Sequence, residues 1–238
     1  MYFYFDPLYW LVIGAGLLLS LWAQAKVKGA YLRYSRLPVR SGMSGAQVAA
    51  AILRENGIDD VRIVAIPGQM TDHYDPRSRT LRLSEPVYRG TNMAALGIAA
   101  HEVGHAIQHA HDYAPLKFRS AWVPVANLGG GLSMVVLLLA FFMGGVATAF
   151  GSTMALLGVG LFATTTLFTL ITLPVEFDAS RRALLALEKG GYVAADELAG
   201  ARKMLSAAAM TYVAAAVSSI LTLLYWAMRL GLLGGGRR

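Results

Sequence analysis

The segment MAALGIAAHEVGHAIQHA, residues 93–110, is the most informative stretch of this chain about its structure and its reactive residues. Thr91 or Asn92 can cap a helix that begins after it. The first eight residues of the segment are apolar and small, which is typical of a buried helix. His101 and His105 stand four residues apart, so they lie on one helix face, about 6 Å apart along the axis. The segment therefore predicts a buried helix that presents two histidines together.

This spacing is the one that a zinc-binding helix requires. Two imidazoles one turn apart can converge on one Zn²⁺ at about 2.0–2.1 Å, and Glu102 can move a proton from a water on that ion to a leaving amine. Gly104 permits a close approach of backbone or substrate. HExxH has only three fixed positions, so the pattern also occurs by chance. The alternative is therefore a helix whose two histidines bind no common ion. However, four of the five histidines fall within residues 101–111, and we expect one Zn²⁺ per chain.

Three residues compete to be the third ligand. His111 follows His101 at the metzincin distance, but Gln108 stands where that motif needs a glycine to turn the chain. His109 lies about 12 Å from His101 along a continuous helix. Both histidines are better interpreted as residues at the helix end, as residues that support the metal ligands without binding the metal, or as residues that contact the substrate. Glu176 is the better candidate, because two histidines and one carboxylate leave the fourth position of a catalytic zinc open.

Other polar residues near these positions have two interpretations each. Glu176 and Asp178, after Pro174, could instead be acids that favour a helix start, whereas Asp178 could also orient a ligand histidine. Arg181 and Arg182 could stabilise an oxyanion or bind a substrate carboxylate, or could simply flank a membrane.

His73 and Tyr74 precede a predicted strand at Thr80–Ser84. If that strand is exposed beside the zinc, its edge could hold an extended peptide, and either residue could donate to the oxyanion. The alternative is a plain hairpin.

The composition points to a membrane. Hydrophobic residues make up 56% and charged residues 15% of the 238 residues, against about 45–50% and about 25% in globular proteins. The net charge of +7 would also suit nucleic acid, but the basic residues cluster beside apolar segments, so we expect a lipid bilayer and no nucleic acid as partner. The chain has no cysteine, which excludes disulfides and cysteine-based zinc sites.

The predicted fold is a mainly α membrane protein with about four transmembrane helices and a small α+β zincin-like catalytic unit. Its parts are a first span (1–25), the α+β region with HExxH (26–120), two spans (121–173), a helical segment with the third ligand (174–205), and a last helix with a basic tail (206–238). Residues 8–23 could also be a signal peptide, although Asp6 and the lack of Lys or Arg before them argue against it.

Finer predictions follow within these parts. In the α+β region, residues 44–56 predict a helix, 61–66 and 80–84 predict strands, and 74–78 predict a turn. Pro174 is expected to end the span over residues 153–173.

The charge distribution predicts an orientation. Segments 26–120 and 174–205 hold 18 of the 21 Lys and Arg, and four spans place both on one side. The positive-inside rule makes that side the cytoplasm. Arg229, Arg237 and Arg238 would then lie outside, which conflicts with the rule unless the last segment is re-entrant or interfacial.

Four segments of the chain resemble the YugP-type neutral zinc metallopeptidases of bacterial membranes. The matching segments are TDHYDP (71–76), HEVGHAIQH (101–109), PVEFDASRRA (174–183) and AAAMTYVA (207–214). The resemblance implies a gluzincin-like peptidase of the inner membrane, with His101 and His105 as ligands and Glu102 as base. A more distant likeness is to HtpX-type and CAAX prenyl proteases, whose later Glu-Phe-x-Ala-Asp pattern matches from Glu176 and supports it as ligand. Ser180 stands where that pattern has Asp, which leaves the role of Asp178 open.

We therefore expect a membrane-anchored endopeptidase that acts on peptides or membrane proteins. Two other functions stay open: a site-2-type intramembrane protease, and a non-catalytic zinc-stabilised scaffold or chaperone partner. The first would need HExxH in a spanning helix and a later Asp-Gly pair, and we see no such pair. A homo-oligomer or a membrane partner subunit is compatible with all three functions.

Overall fold

The computed structural model describes residues 6–230, which form a mainly helical protein with one small sheet. The elements are α1 (Pro7–Tyr34), α2 (Gly45–Glu55), β1 (Arg62–Ile66), β2 (His73–Asp75), β3 (Thr80–Ser84), α3 (Glu85–Arg89), α4 (Met93–Ala110), α5 (Ala114–Phe142), a short 3₁₀ turn (Gly145–Ala147), α6 (Ala149–Lys189) and α7 (Ala195–Arg229). Helices α1, α5, α6 and α7 are long and apolar enough to cross a membrane. This confirms the expected mainly α class with four candidate spans.

Helix α6 does not end at Pro174, where the span over residues 153–173 is predicted to end. The helix continues through this proline to Lys189, although proline removes one N–H from the helical ladder. Prolines are tolerated within membrane helices because neighbouring groups satisfy the freed carbonyl. The predicted segment 174–205 is consequently divided between the end of α6, a short loop and the start of α7.

The chain forms two compact units. The first unit, within the described residues, comprises 6–22, 118–172 and 212–230, and contains most of the exposed large hydrophobic side chains. Small and hydroxylated residues let its helices approach. A Cβ on Gly129 would lie 2.7 Å from the carbonyl oxygen of Leu161, and Thr169 Oγ1 lies 3.0 Å from Ser219 Oγ.

An ion pair joins two distant parts of the first unit. Asp6 precedes α1, and its carboxylate accepts a hydrogen bond from the Tyr225 hydroxyl at 2.6 Å and pairs with Arg229 at the end of α7. The start of α1 and the end of α7 therefore lie side by side. Arg237 and Arg238 also contribute to the predicted conflict with the positive-inside rule, but they lie outside the described residues.

The second unit comprises residues 23–117 and 173–211. Helix α2 begins with a capping box, in which Ser44 and Gln47 satisfy each other's backbone N–H groups. Its apolar face joins a core with the sheet and α4 that includes the fully buried Ile52, Leu81 and Leu96. In the sheet, β3 lies in the centre, parallel to β1 and antiparallel to β2.

Strand β2 differs from the prediction for residues 74–78. Tyr74 and Asp75 belong to the strand, and the turn begins only at Pro76. Asp75 nevertheless supplies the expected turn chemistry, because its carboxylate accepts from the backbone N–H of Arg77 and the hydroxyl of Ser78. With three residues, β2 is too short to show an alternating pattern in the sequence.

Candidate metal centre

Helix α4 begins where the sequence predicts. The Asn92 side chain accepts from the backbone N–H of Ala95 at 3.0 Å, so the helix starts at Met93 and ends at Ala110. His101 and His105 project from one face of it with their side chains 14% and 10% exposed. Both rings are thus shielded, and they lie edge to face with centroids 4.8 Å apart.

Glu176 of α6 completes a group of three candidate ligands. Its Oε2 lies 3.2 Å from His101 Nε2 and 3.7 Å from His105 Nε2, and one ligand atom from each residue lies within 4.8 Å of the others. Ligands about 2.0–2.1 Å from a tetrahedral zinc stand about 3.3 Å apart. The donor set and its spacing therefore fit a Zn²⁺ ion. All three residues belong to the second unit.

The outer nitrogens of both histidines have neutral partners. His101 Nδ1 lies 3.1 Å from Ser180 Oγ, and His105 Nδ1 lies 3.0 Å from Gln108 Oε1. These contacts turn the Nε2 atoms toward Glu176. Gln108 and Ser180 were not predicted in this role, although Gln108 stands three residues after His105 and Ser180 four residues after Glu176, each one helical turn along the same face.

Within residues 6–230, no hydrogen bond or ion pair joins Asp178 to His101 or His105. Its Oδ2 accepts from Gln108 Nε2 at 3.0 Å, and its carboxylate pairs with both Arg181 and Arg182. The interpretation of Glu176 and Asp178 as helix-start acids is wrong, because α6 begins at Ala149. Both arginines are engaged by Asp178 on their own helix, and Arg182 also lies over the Tyr113 ring, 5.7 Å from its centroid.

Glu102 lies on the buried side of the same helix turn. The backbone N–H of Tyr74 in β2 donates to its Oε2 at 3.0 Å. Burial raises the pKa of Glu102 to about 7, and the nearby charges of Glu176 and Asp72 add to this rise, whereas His101 opposes it. A carboxyl group with a pKa near neutrality can both accept and release a proton.

The remaining candidates separate into two sets. Tyr74 reaches the site through its backbone N–H, which donates to Glu102. Its hydroxyl is 2.8 Å from His109 Nδ1, and burial raises the pKa of Tyr74 to about 12, so the phenol keeps its proton. His73 is exposed, with Nδ1 against the carbonyl of Thr71. His111 follows the last turn of α4 and lies 3.4 Å from Arg182. His109 and His111 are not in the three-ligand group.

Known proteins match this chain over nearly its whole length. A profile of the family described as "Putative neutral zinc metallopeptidase" matches residues 9–231. The "Putative membrane protease YugP" of Bacillus subtilis (strain 168) is 44% identical over 216 residues, which cover 90% of this chain and 92% of that protein. No solved structure matches the chain. Both matches extend over nearly the whole length, including the helix with the paired histidines and the segment of Glu176, and the chain therefore belongs to this family.

Proposed function

We propose that this protein is a membrane-anchored, gluzincin-like zinc endopeptidase that cleaves peptides or membrane proteins. The observation that carries the proposal is the convergence of His101, His105 and Glu176 beside the buried carboxylate of Glu102. Residues 9–231 match a zinc metallopeptidase family, and the Bacillus subtilis relative is described as a membrane protease. The α+β region would then act as a zincin-like catalytic unit.

The three ligands would hold one Zn²⁺ through His101 Nε2, His105 Nε2 and the Glu176 carboxylate. When bound, the ion would supply Lewis-acid chemistry, polarising a water and the scissile carbonyl. Glu102 would accept the proton of the attacking water on a carboxylate oxygen and deliver it to the amine nitrogen of the leaving product. The Tyr74 N–H bond would hold the Glu102 carboxylate in place during this exchange.

Tyr74 is also the best-placed candidate to stabilise the developing oxyanion. Its phenol keeps its proton, and its backbone already contacts Glu102. His109 would orient the hydroxyl by donating from Nδ1–H to the phenol oxygen across the 2.8 Å contact, which leaves the phenol proton free for the oxyanion. Arg181 and Arg182 are less suited to this role because Asp178 already engages both.

Zinc content and hydrolysis of unfolded casein would test the proposal on purified full-length protein. We expect about one zinc per chain, and we expect Glu102→Gln to keep the zinc while it lowers cleavage by about 10²–10⁴-fold, as loss of a general base does. Glu188→Gln, at an exposed position of α6, is the matched control and should cleave normally.

The alternatives predict other results. Full zinc without any cleavage that depends on Glu102 would favour the scaffold, and a chain that takes up no zinc would rule out the site. An intramembrane protease is the weaker alternative, since α4 is not among the four helices of residues 6–230 that are long and apolar enough to span.

We also propose that the protein spans the membrane four times with the site on the cytoplasmic side. The contact of Asp6 with Tyr225 and Arg229 supports an even number of crossings, because it holds the start of α1 beside the end of α7. It also neutralises Arg229, which weakens the charge conflict at that end of the chain.

A further inference from the structure

A buried glutamine connects the two helices that carry the candidate ligands. Gln108 has no exposed surface, and its side-chain amide makes three hydrogen bonds. Oε1 faces His105 Nδ1 at 3.0 Å, and Nε2 donates to the carbonyl of Val175 at 2.8 Å and to Asp178 Oδ2 at 3.0 Å. Val175 and Asp178 flank Glu176 on α6.

The partners determine which way the amide points. Val175 offers a carbonyl oxygen, and Asp178, paired with two guanidinium groups, offers a charged carboxylate. Both can only accept, so they require the amide NH₂ on their side. The amide oxygen is thereby directed at His105, where it can only accept. His105 must then carry its proton on Nδ1, which leaves the Nε2 lone pair free for a metal.

We propose that Gln108 is a positioning residue that sets the tautomer of His105 and the register of Glu176 together. This inference rests on the proposed zinc site. One side chain performs both tasks because the same amide donates to residues on either side of Glu176 and accepts from His105. A chain of contacts thus runs from Arg182 through Asp178 and Gln108 to His105, with each member fixing the orientation of the next.

Reversing the polarity of the link provides a sharp test. Gln108→Glu keeps an acceptor for His105 but places a carboxylate against the Asp178 carboxylate. The double variant Gln108→Glu with Asp178→Asn restores a donor, because the new amide can donate to the new carboxylate. Gln108→Met removes all three bonds at nearly the same length, and Gln69→Met, at an exposed loop position, is the control.

Zinc affinity, measured by competition with a chelator, should fall about 10–100-fold in Gln108→Met, the usual cost of losing a partner of a metal-bound histidine. In Gln108→Glu, which keeps an acceptor for His105, it should fall at least about tenfold, because the new carboxylate repels Asp178 and cannot donate to the carbonyl of Val175, so Glu176 is no longer held in place. The double variant should recover at least about tenfold of the loss in Gln108→Glu. If Gln108 had a purely structural role, Gln108→Met would lower the melting temperature of the metal-free chain, and the double variant would not recover zinc affinity. Zinc binding by Gln108→Met within twofold of wild type would overturn the inference.

The tautomer gives a second readout that needs no zinc. In ¹⁵N spectra of histidine rings in the metal-free chain, His105 should carry its proton on Nδ1 in the wild type and should lose that preference in Gln108→Met. An unchanged tautomer in Gln108→Met would refute the positioning role. Failure of wild-type zinc uptake or casein cleavage would instead refute the proposed function, so the two failures are distinguishable.

Discussion

Ser180 stands four residues after Glu176, where the related Glu-Phe-x-Ala-Asp pattern has a carboxylate. The structure places the Ser180 hydroxyl 3.1 Å from His101 Nδ1, so the serine takes the place of that carboxylate rather than leaving the histidine without a partner. A hydroxyl can orient the ring, but it raises the basicity of the imidazole less than a carboxylate does. Asp178 cannot take over this task for His101, since its contacts lead to Gln108 and two arginines.

The presence of Ser180 in place of an aspartate predicts that the strength of metal binding depends on the side chain at this position. Ser180→Ala removes the partner of His101 and should weaken zinc binding about 10-fold or more, whereas Ser180→Asp should bind at least as tightly as wild type. Chelator competition on the purified chain measures both, with Ser206→Ala, at an exposed position of α7, as control. Equal affinities in all of these variants would show that the Ser180 contact does not support the metal.

At the scale of elements, the approach of α4 to α6 assembles the site. A Cβ built on Gly104 would lie 2.4 Å from the carbonyl oxygen of Ala179, against backbone that cannot rotate away. Ala179 lies one turn beyond Glu176. The glycine within HEVGH therefore permits the helix contact that brings Glu176 to the histidines, one of the two uses expected for it from the sequence.

Gly104→Ala should consequently separate the two helices. We expect about 1–3 kcal/mol of lost stability, the usual cost of overpacking, and at least about tenfold weaker zinc binding, since Glu176 moves with Ala179. Gly97→Ala is the matched control on the same helix, because its Cβ would meet Ala201 at an ordinary 3.6 Å. If both variants bind zinc like the wild type, α6 does not need this close contact to place its ligand.

These elements also show what local sequence can predict. The bounds of α4 follow from the Asn92 cap and from periodicity, both of which act over a few residues. Helix α6 continues through Pro174, and β2 is a short strand, because of contacts with residues distant in the sequence. Predictions from local propensity were therefore wrong at both places. Glu176 could be predicted as a ligand because a carboxylate suits a zinc site. The contacts of Gln108 with Val175 and Asp178, in contrast, join residues about 70 positions apart, and no short sequence pattern indicates them.

At the scale of the whole molecule, the proposed chemistry requires one membrane topology. HExxH and Glu176 are separated by the apolar lengths of α5 and α6, and in the proposed four-span topology both of these helices cross the bilayer, so the two segments meet on one side. From the basic residues of 26–120 and 174–205, we expect that side to be the cytoplasm. The turn between α5 and α6 must lie on the opposite side.

The absence of cysteine makes this topology directly measurable with single-cysteine variants. In intact bacterial cells, a membrane-impermeant maleimide should label Met143→Cys, in the turn after α5, but neither Gln69→Cys nor Lys189→Cys. All three should react after the cells are permeabilised, which controls for accessibility. If only Gln69→Cys and Lys189→Cys are labelled in intact cells, the orientation is the reverse of the one proposed, but both segments of the site still lie on one side. If Gln69→Cys and Lys189→Cys behave oppositely, α5 and α6 do not both cross, and Glu176 cannot reach His101 in the membrane.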